Sequence, residues 1–426
     1  MQTADLTKQK SLPTNTSQIR LRLAYLISQY PAISHTFILR EINQLRNQGL
    51  DIHVASINAP DRSISDLTNE EVTEATSTHY IKKQGAWGAL KSHFTTLRTH
   101  PRAYIKGLLF ALKLAPTDLK KTFYNLLYFI EAIMVGSWMK KNKCDHLHVH
   151  FATPASTVGM IASQTFPIKY SFTVHGPDEF YNTSNYYLTQ KLHTASFVCC
   201  IGTYAQSQVM KLSDPSHWHK FEISPLGVDL NTFTPRPFDT PSNHFEILCV
   251  GRLVPAKGQH ILLQACHKLI KEGYDIHLRF VGDGPDRPSL QQTVQANQLH
   301  NHVTFEGAVN QDQIHTFYQH ADVFALASFA EGIPVVLMEA MAMEIPCIST
   351  TITGIPELIQ SGINGYLVPP SDVQTLASTI AQLIDAPEQR LIVGLNARKR
   401  VAEKYHIQKN TQKLAHIFSN RLRARS

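Results

Sequence analysis

Two glutamates, Glu331 and Glu339, are separated by seven residues in the sequence EGIPVVLME, and this pattern favours a site for a sugar and a phosphate. An apolar run of strand length, residues 323–327, precedes the sequence, and helix formers fill residues 335–343. In an open parallel sheet, the loop between a strand and the next helix binds ligands, because free amides and the helix dipole favour anions there. Gly332 lets the backbone approach a ligand closely. The alternative is a capped helix whose acids bind nothing.

A second pair of charged side chains, Arg252 and Lys257, lies in a loop between a predicted strand, residues 245–250, and a predicted helix, residues 260–269. Two cations beside the amides of a helix N-terminus can bind a diphosphate. The alternative is a solvated pair of loop residues. The sequence Gly282-Asp283-Gly284 lacks the third glycine of a dinucleotide fingerprint, so hydride chemistry is not supported.

Histidines mark two predicted strands in the first half of the chain. His175 follows the strand 170–174, which would place it at the mouth of a cleft; the alternative is a structural or helix-capping histidine. His146, His148 and His150 alternate, so their rings share one face of a strand. Such spacing suits a metal, but we expect a strand that leads into the cleft, because no cysteine or acid lies nearby at ligand spacing.

Length and composition set the scale of the protein. With 426 residues, of which 43% are hydrophobic and 17% charged, the chain suits a soluble protein of two domains. We expect a disordered tail at residues 1–19, a first domain at 20–234, a second domain at 235–405 and a terminal helix at 406–426. The tail lacks the apolar core of a signal peptide, and the six cysteines show no CxxC spacing. A cytoplasmic location is the expectation, with no nucleic-acid partner.

Positive charge is concentrated in one helical segment, residues 82–143. Between residues 80 and 145 there are twelve Lys or Arg and three Asp or Glu, a net charge of about +9, against +7 for the whole chain. Apolar residues are interspersed with lysines, as in residues 104–113. This pattern predicts peripheral docking on an anionic membrane. The alternative is a solvated basic face on core helices, and residues 126–139, which contain Glu131, are expected to form a buried helix.

The sequence EGIPVVLME resembles the signature of family 4 of the retaining glycosyltransferases, and the similarity extends over nearly all of the chain. The loop at residues 29–36 is more similar to the exopolysaccharide branch, of the colanic acid type, than to relatives with two glycines there. That branch typically has a glutamate before the threonine, whereas this chain has His35; Ser34, His35 and Thr36 are the acceptor-side candidates. The resemblance implies the α/β GT-B fold, in which two doubly wound Rossmann-like domains face each other across a cleft and a C-terminal helix crosses back to the first domain.

The resemblance also implies an activity: transfer of a hexose, with retention, from a nucleotide-diphosphate sugar to a glycan or lipid-linked acceptor in surface polysaccharide synthesis. It assigns His175 to the anomeric face of the donor sugar and Glu331 to the sugar itself. It assigns Arg252 and Lys257 to the pyrophosphate. The donor-binding residues that it implies are Gly251, Gly307, Ala308, Val309, Gly332, Ile333, Pro334, Val335 and Glu339.

No cofactor or metal is expected. The chain has no Asp-x-Asp sequence, so the paired cations would replace the magnesium that bridges donor phosphates in other transferases. Two other functions stay open from the sequence alone. One is a sugar-nucleotide epimerase of the same architecture, and the other is a non-catalytic glycan-binding or scaffold protein, against which the intact phosphate and glutamate motifs count.

Overall fold

The computed structural model of the protein describes residues 22–235 and 244–423. The predicted disordered tail, residues 1–19, lies outside the described residues, and so do residues 236–243, next to the predicted domain boundary. The exact boundary therefore stays a prediction.

The first domain contains a parallel sheet of seven strands with helices packed on it. Its elements in chain order are β1 (Arg22–Gln29), α1 (Thr36–Asn47), β2 (Asp51–Asn58), α2 (Asn69–Ser77), β3 (His79–Tyr80), α3 (Gly85–Thr99), α4 (Pro101–Lys113), α5 (Leu119–Lys141), β4 (His146–His150), α6 (Pro154–Thr165), β5 (Lys169–Val174), α7 (Asp178–Tyr181), α8 (Leu188–Thr194), β6 (Phe197–Cys200), α9 (Thr203–Lys211) and β7 (Phe221–Ile223). The strand order across the sheet is β3-β2-β1-β4-β5-β6-β7. Every residue of β4 is buried, as expected for a central strand covered on both faces.

The second domain contains a parallel sheet of six strands. Its elements are β8 (Phe245–Val250), α10 (Gln259–Lys271), β9 (Ile276–Val281), α11 (Arg287–Ala296), β10 (Val303–Gly307), α12 (Ile314–His320), β11 (Val323–Leu326), α13 (Val335–Ala342), β12 (Cys347–Thr350), α14 (Ile355–Leu358), β13 (Tyr366–Val368), α15 (Val373–Asp385), α16 (Pro387–Lys404) and α17 (Ile407–Arg423). The strand order is β10-β9-β8-β11-β12-β13.

The strand order reverses once in each sheet, between β1 and β4 in the first and between β8 and β11 in the second. Loops at the carboxyl ends of the strands diverge at such a reversal and open a crevice for ligands. The loop after β8 contains Arg252 and Lys257, and the loop after β11 contains Glu331. The loop after β5, next to β4, begins with His175. The topology thus places Arg252, Lys257 and Glu331 at the carboxyl ends of the two strands that flank a reversal, and His175 one strand away from the other reversal.

The C-terminal helix α17 packs on the first domain. Its residues Leu414, Ile417 and Phe418 belong to the same buried cluster as side chains of β1 and α1. Arg421 of α17 forms an ion pair of 2.6 Å with Glu222 of β7. The predicted fold class, two doubly wound domains with a helix that crosses back, is confirmed.

The basic segment folds as the three helices α3, α4 and α5. In α5 the residues beyond position 131 are mostly buried, but Leu127 and Ile130 are 39% and 37% exposed. The prediction of a buried helix over residues 126–139 is therefore right for its second half and wrong for its first. Among the helices of the described residues, none is both long enough and apolar enough to cross a bilayer.

Candidate active site

A direct ion pair joins two of the predicted catalytic residues. Lys257 Nζ lies 2.6 Å from Glu331 Oε1, and Ser328 Oγ donates a hydrogen bond of 2.7 Å to the same oxygen. Glu331 is 7% exposed. The pair joins the loops after β8 and β11 at the reversal of the second sheet. A fixed cation beside a fixed carboxylate suits a ligand that carries both phosphate and hydroxyl groups.

A glycine allows these two loops to approach each other. Gly258 has a φ of +61°, in the left-handed region, and a Cβ at this position would lie 2.1 Å from the carbonyl oxygen of Ala327. The amide of Phe329 donates to the carbonyl of Ala256 at 2.8 Å. A side chain at position 258 would push the loops apart and separate the ion pair.

The loop after β11 leads directly into a helix. Pro334 precedes Val335, the first residue of α13, whose first amides have no partner within the helix. A Cβ added to Gly202 of the first domain, or to Gly354 of the second, would lie 2.9 Å from the side chain of Ile333. Ile333 therefore packs between the two domains beside the helix N-terminus.

Arg252 is exposed, and its guanidinium has no hydrogen-bonding partner within the ranges that the structure describes. Its carbonyl accepts a hydrogen bond of 2.8 Å from Gln259 Nε2, which ties the loop to the start of α10. Burial, followed by the charges of His150 and Arg252, lowers the pKa of His35 to about 4. The Arg252 guanidinium is therefore available for a phosphate.

His175 touches the second domain through its backbone. A Cβ on Gly332 would lie 1.9 Å from the carbonyl oxygen of His175, so only glycine fits where the two loops meet. The Glu179 carboxylate accepts hydrogen bonds from the amides of His175 and Gly176, at 2.6 and 2.8 Å. These bonds fix the loop after β5. The structure thus brings the predicted residues His175 and Gly332 together.

A chain of hydrogen bonds runs from His175 into the core of the first domain. His175 Nε2 lies 3.0 Å from His150 Nδ1, and His150 Nε2 lies 3.2 Å from Glu41 Oε1. Tyr25 Oη donates to the same carboxylate oxygen at 3.0 Å. Because a carboxylate only accepts, these partners place the protons of His150 and His175 on their Nε2 atoms.

This arrangement leaves the Nδ1 atom of His175 as an acceptor. Nδ1 is buried and has no hydrogen-bond partner among the described residues. Burial, followed by the charges of His150 and His35, lowers the pKa of His175 well below its ordinary value. The ring is therefore neutral near pH 7.

The other histidines of β4 are hydrogen-bonded within the sheet. His146 Nε2 and His148 Nδ1 lie 2.7 and 2.8 Å from Ser171 Oγ, and His148 Nε2 lies 2.9 Å from Thr173 Oγ1. Across the part of the chain that the structure describes, no group of three or more His, Cys, Asp or Glu side chains is placed to hold a metal ion. The histidine strand is a buried polar stripe whose last member, His150, reaches the candidate site.

Glu339, the predicted ribose ligand, is held by both domains. Arg40 Nη1 of α1 lies 2.8 Å from Glu339 Oε1, and Tyr318 Oη donates to Oε2 at 3.0 Å. The Arg40 guanidinium also lies 5.4 Å from the centroid of the Phe233 ring. Glu339 is 5% exposed, so protein donors occupy both oxygens of a buried carboxylate.

Three glycines lie at the carboxyl ends of neighbouring strands beside the crevice. Gly251, Gly282 and Gly307 follow or end β8, β9 and β10, and all have positive φ. A Cβ on Gly282 would lie 2.0 Å from the carbonyl oxygen of Gly251. Ala308 and Val309 follow β10, the edge strand, two strands away from β8. The loop that contains Ala308 and Val309 is therefore separated from the ion pair of Lys257 and Glu331 by the loop after β9.

The acceptor-side candidates lie at the reversal of the first sheet. Ser34 is exposed, and Thr36 is the first residue of α1. The ring centroid of His35 lies 5.0 Å from that of Phe151, which lies 4.4 Å from that of His175. Phe151 therefore connects His35 with His175 in one aromatic cluster.

A further contact between the domains involves Glu357. Its two oxygens accept hydrogen bonds from the amides of Thr203 and Tyr204, at 2.8 and 2.6 Å, at the start of α9. A carboxylate is favoured there, because the free amides and the helix dipole both attract negative charge. Glu357 thus caps a helix of the other domain.

No sequence motif predicted Arg40, Glu41 or Glu179. A signal for Glu41 does exist, because it falls between Ile38 and Ile42 on the apolar side of α1, where an acid needs a buried partner. Glu179 follows four residues after His175 in a polar stretch and shows no comparable signal. The ion-pair partner of Arg40, Glu339, lies 299 positions away in the chain, so only the assembled fold reveals its role.

Similarity to solved structures gives the class of fold. The structure of HepE from Anabaena in complex with UDP and glucose is 19% identical, covers 94% of this chain and 99% of its own, and has a TM-score of 0.71. Sucrose-phosphate synthase from Thermosynechococcus elongatus, also 19% identical, covers 95% and 100% with a TM-score of 0.75. With the two doubly wound sheets, these similarities define a GT-B fold.

Residues 232–400, in the second domain, match the family model described as Glycosyl transferases group 1. AmsK, the amylovoran biosynthesis glycosyltransferase of Erwinia amylovora, is 24% identical over 417 residues, 93% of this chain and 99% of AmsK. WcaL of Escherichia coli K12, a glycosyltransferase named for colanic acid biosynthesis, is 26% identical over 412 residues, again 93% and 99%. The predicted resemblance is confirmed, and the protein is a glycosyltransferase.

Proposed function

We propose that the protein is a retaining hexosyltransferase that uses a nucleotide-diphosphate sugar and extends a glycan or lipid-linked acceptor in surface polysaccharide synthesis, without a metal. The relatives named for amylovoran and colanic acid biosynthesis align over almost the whole chain, which supports the pathway class. The structural neighbour solved with UDP and glucose supports the donor class.

The observation that carries the proposal is the ion pair of Lys257 with Glu331 at the reversal of the second sheet. The pair lies in the same loop system as Arg252 and the N-terminus of α13. A diphosphate held by these two cations and the amides would direct its sugar toward Glu331 and, across the cleft, toward His175. A site with this order of groups is complementary to a nucleotide-diphosphate sugar.

In this proposal the leaving diphosphate departs on the face of the sugar that the acceptor approaches, and its oxygen takes the acceptor proton. Arg252 and Lys257 stabilise the charge that develops on the diphosphate. Glu331 orients sugar hydroxyls, and Glu339 binds the ribose. His175, neutral and with Nδ1 as an acceptor, lies at the anomeric face and can accept a hydrogen bond from a sugar hydroxyl.

The acceptor would approach from the first domain, past Ser34, His35 and Thr36. A lipid-linked acceptor is presented at a membrane surface, so the enzyme would act as a peripheral protein on the cytoplasmic side. The six cysteines, all buried free thiols in the structure, are compatible with a reducing compartment.

A panel of nucleotide sugars, assayed by thermal shift and followed by product analysis, tests the proposal. A donor at 100 times its dissociation constant stabilises the folded protein by about 2.7 kcal/mol. We expect one donor to stabilise the protein and its sugar to appear on an acceptor with the anomeric configuration retained. An epimerised donor formed without acceptor would show an epimerase instead. Stabilisation without any turnover, with every acceptor supplied, would show a binding protein.

A further inference from the structure

The helices α3, α4 and α5 expose a large apolar surface. Of the nineteen exposed large apolar side chains among the described residues, eleven lie on these three helices. They are Trp87, Leu90, Phe94, Leu97, Ile105, Leu109, Leu119, Phe123, Tyr124, Leu127 and Ile130, and they are named here the α3–α5 face. Exposed apolar groups of this number, concentrated in one segment, indicate a surface that another phase or partner covers.

The helix α3 turns its large apolar side chains outward, whereas a surface helix of a water-soluble domain turns them toward the core. Its large side chains point outward: Trp87 is 85% exposed and Phe94 is 67% exposed. Its inward side is small or polar. Thr96 is buried with its Oγ1 atom 3.4 Å from Ser137 Oγ, and His93 Nδ1 lies 2.9 Å from Tyr104 Oη. The one buried residue of α3 is a threonine, while its tryptophan and phenylalanine are exposed, and a helix of this kind is not built to face water.

The two following helices continue the pattern. In α4 the buried positions are the small residues Gly107 and Ala111, while Ile105 and Leu109 are exposed by nearly half. In α5 the exposed apolar residues Leu119, Phe123 and Leu127 recur every fourth position and so lie on one side of the helix.

Basic residues accompany this apolar surface. Residues 85–141 contain nine Lys or Arg and two Asp or Glu, a net charge of +7. Lys91 and Arg98 on α3, and Lys106 and Lys113 on α4, are exposed beside the apolar rows. Amphipathic helices with tryptophan and phenylalanine on one side and basic residues next to them bind at the boundary between lipid headgroups and acyl chains.

We propose that the α3–α5 face docks on an anionic lipid bilayer. Its aromatic and aliphatic side chains enter the headgroup–acyl boundary, and its lysines and arginines contact acidic headgroups. A second copy of the chain is the less favoured occupant, because pairing two such faces would bring two charges of +7 together. The docking does not depend on the proposed transfer reaction; only its purpose, access to a lipid-linked acceptor, rests on that function.

Vesicle binding of the full chain, without sugar nucleotide, tests the docking. The probes are vesicles of phosphatidylcholine alone and of phosphatidylcholine mixed with phosphatidylglycerol. We expect sedimentation with the anionic vesicles, weaker binding as salt is added, and little binding to the neutral ones. Trp87 is one of three tryptophans, so its entry into lipid shifts the fluorescence to shorter wavelength, and W87F should lose most of that shift.

Three pairs of substitutions identify the surface. F94Q with L97Q removes apolar contacts, and K106E with K113E reverses two charges; we expect each pair to weaken binding to anionic vesicles by at least about tenfold. The control is I392Q with L395Q on α16, which removes two apolar side chains of similar exposure elsewhere and should leave binding unchanged. All six positions are exposed, and equal melting temperatures would show that the variants fold.

Two results would overturn the proposal. One is an absence of binding to anionic vesicles at low ionic strength while the melting temperature is normal. The other is a stable dimer, detected by light scattering, that vesicles do not dissociate and that the double variant F94Q with L97Q converts to a monomer. That result would assign the α3–α5 face to contact with a second copy of the chain. A transferase that is active on a soluble acceptor but fails the vesicle assay would contradict the docking and leave the proposed function intact.

Discussion

Arg40 Nη1 lies 2.8 Å from Glu339 Oε1, so a helix of the first domain and a helix of the second are joined by one ion pair. The two side chains are only 11% and 7% exposed. Glu339 also accepts a hydrogen bond from Tyr318 and is the proposed ribose ligand. The same carboxylate thus holds the domains together in this structure and would bind the nucleotide, which couples donor binding to the contact between domains.

Arg40→Ala should destabilise the protein by about 3–5 kcal/mol, because it leaves the Glu339 carboxylate buried without its cation. The double variant Arg40→Ala with Glu339→Gln should lose less than the sum of the single variants, since the uncompensated charge is then gone. Urea unfolding measures the three free energies. Arg22→Ala is the control, because it breaks the more exposed pair with Asp51 and should cost about 1 kcal/mol or less. Additive losses would show that the pair carries no coupling.

Arg252→Ala and Lys257→Ala should each lower transfer by about two orders of magnitude, the scale of losing an electrostatic contact in the transition state. Their effects on stability should differ. Arg252 is exposed and unpaired among the described residues, so its loss should leave the melting temperature unchanged, whereas loss of Lys257 leaves the buried Glu331 without its partner. Initial rates and thermal melts measure both. Near-normal turnover in the double variant would remove the diphosphate assignment.

Transfer should tolerate EDTA. The proposed site neutralises the diphosphate with two side-chain cations, so no divalent ion is required to bridge the phosphates. Activity is measured after dialysis against chelator and again after magnesium or manganese is added back. Loss of activity in chelator that a divalent ion restores would contradict this prediction and reopen the question of His146, His148 and His150.

Much of this site could be predicted from the sequence, because its residues lie close together along the chain. Glu331, Gly332 and Pro334 lie within one strand–loop–helix unit, so their spacing alone indicates a loop at the end of a parallel strand. Arg40 and the buried Glu41 could not be placed in this way. Their partners come from other elements, and only the three-dimensional arrangement of β4, α13 and α1 brings these side chains together.

For the basic segment, residues 82–143, less of the structure could be predicted from the sequence. Its charge and helical spacing were readable from the sequence, but the side of each helix that faces outward was not. In α3 the apolar positions would normally be assigned to the core, and the structure turns Trp87 and Phe94 outward. The side of α3 that packs on α5 is instead the one with Thr96, whose Oγ1 lies 3.4 Å from Ser137 Oγ.

Glu41→Gln should affect His175 through His150, as expected of a positioning residue. The amide introduced by Glu41→Gln can either accept a hydrogen bond from His150 Nε2 or donate one to it, so the His150 tautomer is no longer fixed. We expect kcat to fall by about tenfold and the pH–rate profile to change, because Nδ1 of His175 is then no longer held as an acceptor. Tyr25→Phe is the control, because it leaves the contact between Glu41 and His150 in place and should retain the wild-type profile. An unchanged profile in Glu41→Gln would limit the chain of hydrogen bonds to a structural role.

Acid should destabilise the protein through His35. Burial lowers its pKa from the ordinary 6.5 to about 4, so the unfolded chain binds a proton between these values while the folded protein does not. The stability from neutral His35 is therefore present above pH 6.5 and is lost as the pH falls toward 4, by on the order of 2 kcal/mol at pH 5. Urea unfolding at pH 7 and pH 5 measures the loss, which His35→Gln should reduce by that amount. The exposed His300→Gln should lose as much stability as the wild type. If His35→Gln showed the same loss as the wild type, the acid sensitivity would belong to other groups, of which His146, with a pKa lowered by burial to about 3, is the next to replace.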